Sequence, residues 1–308
     1  MPPTKLAVMI SGRGTNLKAI LDAVASNYLG RVRVDYAISN KNAPGAMYAR
    51  DAGIEFLTMP QEAMRGFLLK RDIDLICLAG YDEILTSDFV DAFRWKIMNI
   101  HPSLLPSFLN TLQAQHEAVA YGVKISGVTV HFVDEGVDTG PIILQYPVSV
   151  NENDTGESLA LRILEYEHIA YPKAIKLFSE GRLTVEGRKV RISRKIRIQK
   201  LIHERISGAY FEEIGVSTEM VDIIRQKCSL CAIQVKDIAP REAIIIKQEM
   251  LALGGDCAVP KDVILNMADI PTDCIVFGSL LQLHKLASRL ESQPFNLPKV
   301  GTMIAEVL

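Results

Sequence analysis

Lys5-Leu6-Ala7-Val8-Met9-Ile10-Ser11-Gly12-Arg13-Gly14-Thr15-Asn16 is a short apolar run that breaks into a glycine-punctuated turn, and Leu17 to Val24 then repeat apolar residues at helical spacing. This reads as strand, glycine loop, helix. Glycines let the backbone approach an anion closely, and the unpaired amides of the helix start, with the helix dipole behind them, form a seat for a phosphate. Thr15 and Asn16 add side-chain donors. The spacing is neither GxGxxG nor a Walker loop, so nothing singles out a dinucleotide or an NTP. A tight βα connection without a ligand satisfies the same pattern.

The alternation continues outward from that unit. Val32 to Ile38 reads as a strand, Gly45 to Ala52 as a helix, Glu55 to Leu57 as a strand and Ile73 to Ala79 as a central strand. Strands separated by helical segments imply an α/β fold built on a doubly wound, mostly parallel sheet, whose ligands gather at the carboxyl ends of the strands. A second such end follows Trp95-Lys96-Ile97-Met98, where the apolar run is expected to stop at Asn99-Ile100-His101-Pro102. Asn99 and His101 lie two apart, so on extended backbone both side chains leave the same face. Pro102 and Pro106 prevent the strand or a helix from continuing. An amide and an imidazole set side by side can donate to one developing oxyanion, and the imidazole exchanges protons near neutral pH. A turn histidine capped by proline is the plain alternative.

Gln113 to Tyr121 reads as a helix, Ser126 to Val133 as a strand with alternating character, and Ile142 to Val148 as another strand. Between the two strands lies Asp134-Glu135-Gly136-Val137-Asp138-Thr139-Gly140-Pro141. Its acids lack the histidines or cysteines of a metal site. One carboxylate facing His101 as a proton relay is the better chemical reading, and a solvated turn is the alternative. Thr155 to Glu180 forms a long helical pattern with Leu159, Ile163, Tyr166, Ala170 and Ala174 on its apolar face. Glu167 and His168 fall off that stripe, and Pro172 is expected to kink or break the helix.

Composition bounds the class. With 308 residues, two domains are the expectation. A hydrophobic share of 48% and a charged share of 23% are ordinary for a globular protein, and a net charge of −2 gives no global pull toward nucleic acid or anionic membrane. Met1-Pro2-Pro3-Thr4 lacks a signal-peptide profile and no apolar run approaches a membrane span, so a cytoplasmic protein is expected. Five cysteines, an odd number thinly spread, fit a reducing compartment.

The strings SGRGTNL, SNKNAPG, LAGY, NIHPSLLPSF, YGVKISGVTVHFVDEGVDTGPIILQ and EHIAYP, in that order, resemble the phosphoribosylglycinamide formyltransferase family over residues 1–190. The resemblance implies a formyltransferase-like Rossmann variant and an enzyme of purine biosynthesis. It would move the formyl group of 10-formyltetrahydrofolate, its cosubstrate, to the amine of glycinamide ribonucleotide. It implies Asn99, His101 and Asp138 as catalytic residues, Gly14, Thr15 and Asn16 as the phosphate loop, and Glu167 as the acid holding the ribose hydroxyls. It also implies a folate pocket of Ile84, Leu85, Asn99, Val133, Asp134, Glu135, Gly136, Val137 and Asp138. No metal is required, the partner is a small molecule rather than nucleic acid or membrane, and a homodimer stays open. The chemistry agrees, because formyl transfer passes through a tetrahedral oxyanion and needs one proton removed from the amine and one returned to the folate nitrogen.

Three departures from the family pattern stand out. Glu83 replaces an arginine near the folate tail, the Pro60 to Arg71 segment is short, and Phe108-Leu109-Asn110-Thr111-Leu112 replaces a Pro-Gly pair with an extra residue. Two alternatives therefore stay open: formylation of another amine, on tRNA or a sugar nucleotide, and a non-catalytic folate or nucleotide binder.

From Gly187 to Lys200 basic residues alternate with Val190, Ile192, Ile196 and Ile198. Without interleaved aromatics this reads as a solvated strand pair rather than a nucleic-acid face, and it places a boundary between a formyltransferase domain, 1–192, and an accessory α/β domain, 193–308. The second part carries helical Met220 to Lys227, strand Ala232 to Val235, helical Arg241 to Leu253 closing on Gly254-Gly255, strands Cys257 to Val259 and Asp273 to Phe277, and helical Leu280 to Leu290. Its strings REAIIIKQEMLALGGDCAVPKDV and FGSLLQLHKLASRLESQPFNL resemble the segment preceding the barrel in atypical dihydropteroate synthases. The barrel is absent, so no synthase activity follows, and a regulatory, folate-channelling or dimerising role stays open. Cys228 and Cys231 form a lone CxxC that reads as buried small residues rather than a metal or redox site.

Overall fold

A computed structural model describes residues 2–203, 220, 230–261, 263 and 270–308. The chain divides into two units, Met1–Ser193 and Arg194–Leu308.

The first unit is built on a nine-stranded sheet. Its elements are β1 (Thr4–Met9), α1 (Thr15–Ala25), β2 (Val32–Ser39), α2 (Ala46–Asp51), β3 (Glu55–Thr58), α3 (Gln61–Lys70), β4 (Leu75–Leu78), α4 (Ser87–Ala92) and β5 (Ile97–His101). They continue with α5 (Ala114–Tyr121), β6 (Ile125–Phe132), β7 (Ile142–Ser149), α6 (Gly156–Ser179), β8 (Leu183–Glu186) and β9 (Lys189–Ile192). The strand order is β3-β2-β1-β4-β5-β6-β7-β9-β8. From β3 to β5 every pairing is parallel. β6 then joins β5, and β7 joins β6, antiparallel. The continuous apolar runs of β1 and β4 follow from that position, since both are flanked by parallel neighbours and wholly buried.

Three expectations are corrected here. β5 does not stop before the polar pair, because the antiparallel partner β6 carries the ladder through Asn99 and His101. The proline does not break α6, which runs unbroken past Pro172. Proline removes one backbone donor, and the neighbouring Tyr171 hydroxyl lies 2.9 Å from both the Leu78 and Met98 carbonyls, tying the helix to β4 and β5. The capped start, Thr155 Oγ1 accepting from Ser158 N, fixes the other end. The buried face of α6 runs through Leu159, Ile163, Glu167, Ala170 and Ala174, so Glu167 lies on the stripe, while Tyr166 is half-buried against Tyr146.

The basic stretch supplies the turn and second strand of the β8–β9 hairpin, where the tip residue Arg188 donates to the Thr139 carbonyl at 2.8 Å, and its last residues enter the first strand of the second unit.

The second unit carries β10 (Arg197–His203), β11 (Leu230–Ile238), α7 (Pro240–Ala252), β12 (Asp256–Ala258), β13 (Thr272–Ser279), α8 (Leu280–Leu290) and α9 (Leu297–Val307). Its sheet, in the order β10-β11-β13-β12, is antiparallel throughout. Ile233, Val235, Ile246, Met250, Leu283, Val300 and Ile304 share its core. Residues 221–227 of the expected helix and Cys228 of the CxxC lie outside the described residues, and Cys231 is buried.

Candidate active site

Asn99 on β5 stands directly opposite His131 on β6, so their side chains share a face of the sheet. His101 follows two residues on and is 4% exposed. Its Nε2 lies 2.9 Å from the Phe108 carbonyl, which can only accept, so Nε2 carries the proton and Nδ1 faces Asp138 Oδ2 at 3.4 Å. His131 has the opposite tautomer. Its Nδ1 donates to the Phe132 carbonyl at 2.8 Å, leaving Nε2 to accept from Asn99 Nδ2 at 3.3 Å and to lie 3.7 Å from Asp138 Oδ1. Burial pushes the His131 pKa down, which keeps the ring neutral and suits it to accept.

Asp138 sits where these groups meet. Asn99 Nδ2 donates to its Oδ1 at 3.3 Å, and the Asn110 backbone N–H donates to its Oδ2 at 3.2 Å. Its backbone is left-handed, φ 57°, as is that of Phe108 at 54° and Asn110 at 60°. Non-glycine residues in that region store strain, which gathers at functional sites. The acidic loop is braced by Asp134 Oδ1, which accepts from Gly136 N at 3.2 Å and Thr139 Oγ1 at 2.6 Å. His101 Nδ1 and Asp138 Oδ2 therefore face each other at 3.4 Å, close enough for a proton to pass between them. The Asn99 amide can turn to a developing oxyanion by giving up one of its two long bonds. His101 Nε2 is already committed to the Phe108 carbonyl, so of the expected pair of donors only the Asn99 amide is free to turn.

These groups floor a cavity of about 400 Å3. One wall runs from Gly80 to Leu85, a second from Val133 to Asp138, and a third is the Asn110 to Leu112 turn. Ile84, Leu85, Asn99 and Val133 through Asp138 all line it, so the residues expected at a folate pocket are brought together. Gln61 clamps the first wall, its Nε2 donating to the Ile84 carbonyl at 3.0 Å and its Oε1 accepting from Thr86 N at 2.7 Å. The sequence alone does not single out His131, and it marks the 108–112 segment as a departure without giving its role as a cavity wall. His131 was findable from the alternation of β6 once its register against Asn99 is known.

The glycine loop forms a separate polar seat. Gly14, φ 72°, is the N-cap of α1, no side chain caps the helix, and its first turn holds no acid, so the leading amides are left for an anion. Gly45 packs directly on it, and Gly45 N donates to the Gly12 carbonyl at 3.0 Å. Ser11 Oγ accepts from Asp82 N at 3.1 Å, joining this loop to the cavity wall. Asn16 Nδ2 donates to Glu167 Oε2 at 2.7 Å, while Asn16 Oδ1 is buried without a partner among the described residues. Burial raises the Glu167 pKa and the Asn16 amide partly offsets the rise. Among the described residues, no group of three or more His, Cys, Asp or Glu side chains is arranged to hold a metal ion, and no helix is long and apolar enough to cross a membrane.

Comparison with known proteins follows the same boundary. Residues 4–175 match the family described as Formyl transferase. A phosphoribosylglycinamide formyltransferase of Haemophilus influenzae is 43% identical over 195 residues, covering 59% of this chain and 90% of that protein. A trifunctional purine biosynthetic protein adenosine-3 of Chironomus tentans is 42% identical over 193 residues, and there the match spans 59% of this chain but only 14% of the relative. Among solved structures, glycinamide ribonucleotide transformylase 1 of Symbiobacterium toebii is 47% identical with a TM-score of 0.60, covering 62% of this chain and 94% of that one. A formyltetrahydrofolate deformylase of Burkholderia mallei is 26% identical with a TM-score of 0.57, covering 63% and 71%. The likeness of the second unit to dihydropteroate synthases gains no support from these matches.

Proposed function

The chain belongs to the formyl transferase family, and from that premise we propose that it transfers the formyl group of 10-formyltetrahydrofolate to the primary amine of glycinamide ribonucleotide, a step of purine biosynthesis. The observation that carries this reading is the meeting of Asn99, His101 and Asp138, within 3.3–3.4 Å of one another across Asp138, at the floor of the cavity.

The amine nitrogen attacks the formyl carbon, and the carbonyl oxygen gains the negative charge. Asn99 Nδ2 turns to that oxygen, with the imidazole of His101 beside it. Asp138 takes the proton that the attacking nitrogen must lose and returns one to the departing folate nitrogen as the carbon–nitrogen bond breaks, with His101 Nδ1 beside it. Neutral His131 holds the Asn99 amide in register. In the same reading the α1 amides of Gly14, Thr15 and Asn16 take the ribonucleotide phosphate, Glu167 takes the ribose hydroxyls, and the Ile84 to Leu85 and Val133 to Asp138 walls take the pterin. Asn16 Oδ1, buried and unpaired, supports this assignment because a bound hydroxyl would satisfy it.

Catalysis is assigned to residues 1–192, with 193–308 as an accessory domain. A net charge of −2, with no global pull toward nucleic acid or anionic membrane, supports a small-molecule substrate, and we place that work in the cytoplasm. Sedimentation of the full chain reads whether it forms a homodimer.

The test is turnover of 10-formyltetrahydrofolate with each of three acceptors: glycinamide ribonucleotide, a methionyl-tRNA and an amino-sugar nucleotide. Product is expected with the first alone. Formate release without any acceptor indicates hydrolysis instead, and binding without turnover indicates a non-catalytic binder.

A further inference from the structure

The cavity assigned to the formyl donor is walled by five carboxylates, Asp82, Glu83, Asp134, Glu135 and Asp138, and, among the described residues, by no lysine or arginine. Cations from outside the wall compensate two of them. Lys41 pairs with Asp82, and Arg94 Nη2 reaches Glu135 Oε1 at 2.5 Å while also holding Asp91 at 2.8 Å. Asp134 is satisfied by neutral donors, and Asp138 belongs to the catalytic cluster. Glu83 is different. It is exposed, its Oε2 accepts from the Tyr81 hydroxyl at 2.9 Å, and no cation among the described residues pairs with it. Beside it Ile84 is 73% exposed, and across the cavity Leu112 is 86% exposed. Two bare apolar side chains and one uncompensated carboxylate thus flank the opening.

We propose that this mouth selects formyl donors by the charge of their tail: Ile84 and Leu112 bracket the flat apolar middle of the donor, and Glu83 repels carboxylates beyond it. A donor carrying a single glutamate is preferred over one carrying a polyglutamate chain. The inference rests on the cavity being the donor site, as assigned above.

Two unit charges about 4 Å apart in water interact by about 1 kcal/mol, or about five-fold in an equilibrium constant, and half that energy at twice the distance. Each tail carboxylate held near Glu83 therefore raises KM by roughly two- to five-fold. The effect is carried by KM because the tail lies outside the reacting atoms and binds equally in ground and transition states. It fades with salt, since screening shortens from about 30 Å at 0.01 M to about 3 Å at 1 M.

The experiment measures KM for monoglutamyl and polyglutamyl 10-formyltetrahydrofolate with the full chain, at about 0.01 M and about 1 M salt, in the native protein, Glu83→Gln and Glu83→Lys. The ratio of the two KM values is the readout, so a partial folding defect in a variant cancels. The ratio is expected to exceed about five in the native protein at low salt, to approach unity at high salt and in Glu83→Gln, and to invert in Glu83→Lys. Normal turnover with an equal or lower KM for the polyglutamyl donor overturns the inference alone. Failure of the monoglutamyl donor to bind or react overturns the donor-site reading and this inference with it.

Discussion

Replacing Gly14 by alanine tests whether the turn after β1 is shaped for a ligand. A Cβ built there lies 2.8 Å from Gly45 Cα and 3.4 Å from its carbonyl oxygen, where carbon contacts ordinarily begin at about 3.5 Å. The obstacle is backbone on both sides, so it cannot be relieved by a rotamer. The residue also keeps φ 72°, which costs an L-residue about 1–2 kcal/mol. Overpacking adds about 1–3 kcal/mol, and the stiffer unfolded chain returns about 0.4–1 kcal/mol of that penalty. A net loss of about 2–4 kcal/mol is expected in urea unfolding. Gly45→Ala meets Gly14 Cα at 2.7 Å from a right-handed backbone, φ −64°, and loses only the packing part. Gly12→Ala meets nothing within 4 Å and has no positive φ, so it stays within about 0.5 kcal/mol of the native protein. Displacing one amide from a bound phosphate forfeits about 1.5–3 kcal/mol, so KM for glycinamide ribonucleotide rises about 10- to 100-fold in Gly14→Ala. A native KM in Gly14→Ala, or equal destabilisation by Gly12→Ala, refutes the reasoning.

Glu167→Gln separates stability from binding. The folded pKa of Glu167 is raised by burial, so at neutral pH the buried charge costs stability, and as pH falls through that value the folded state takes up the proton before the unfolded chain does. The native protein therefore gains from Glu167 on mild acidification and Glu167→Gln does not, while the variant is at least as stable near neutrality and shows a raised KM for the ribonucleotide; urea midpoints against pH and initial rates measure both. At Asn110, φ 60°, glycine preserves the turn, whereas valine costs about 1–2 kcal/mol and moves the amide that holds Asp138 Oδ2. Asn110→Val should lose kcat and shift its pH profile while Asn110→Gly keeps both near native values.

Much of the first unit was legible because its signals are local. The β1 run, the Gly12 and Gly14 punctuation and the periodic start of α1 lie within one stretch of chain, and the two-residue spacing of Asn99 and His101 fixes their common face. What stayed hidden depends on distant partners. His131 enters the cluster only through the antiparallel register of β6 on β5, and the carboxylate of Glu167 is buried because Asn16, far away in sequence, meets it. Drawing the α6 stripe through Tyr166 placed Glu167 outside the core by a single helical step. Helix α9 was overlooked although Pro298 at its first turn and Val300 and Ile304, four apart on its buried face, carry ordinary start and periodicity signals. The 108–112 turn was read as an irregular insertion, and its role as the holder of His101 Nε2 and Asp138 Oδ2 emerges only when the three segments are brought together.

The most direct measurement is the single-turnover rate of formyl transfer by Asp138→Asn with both substrates bound. Asparagine keeps the shape of the carboxylate but can neither take the amine proton nor share one with His101. The rate is predicted to fall roughly 10²- to 10⁴-fold with both ligands still binding. A rate within a few-fold of the native protein would contradict the account.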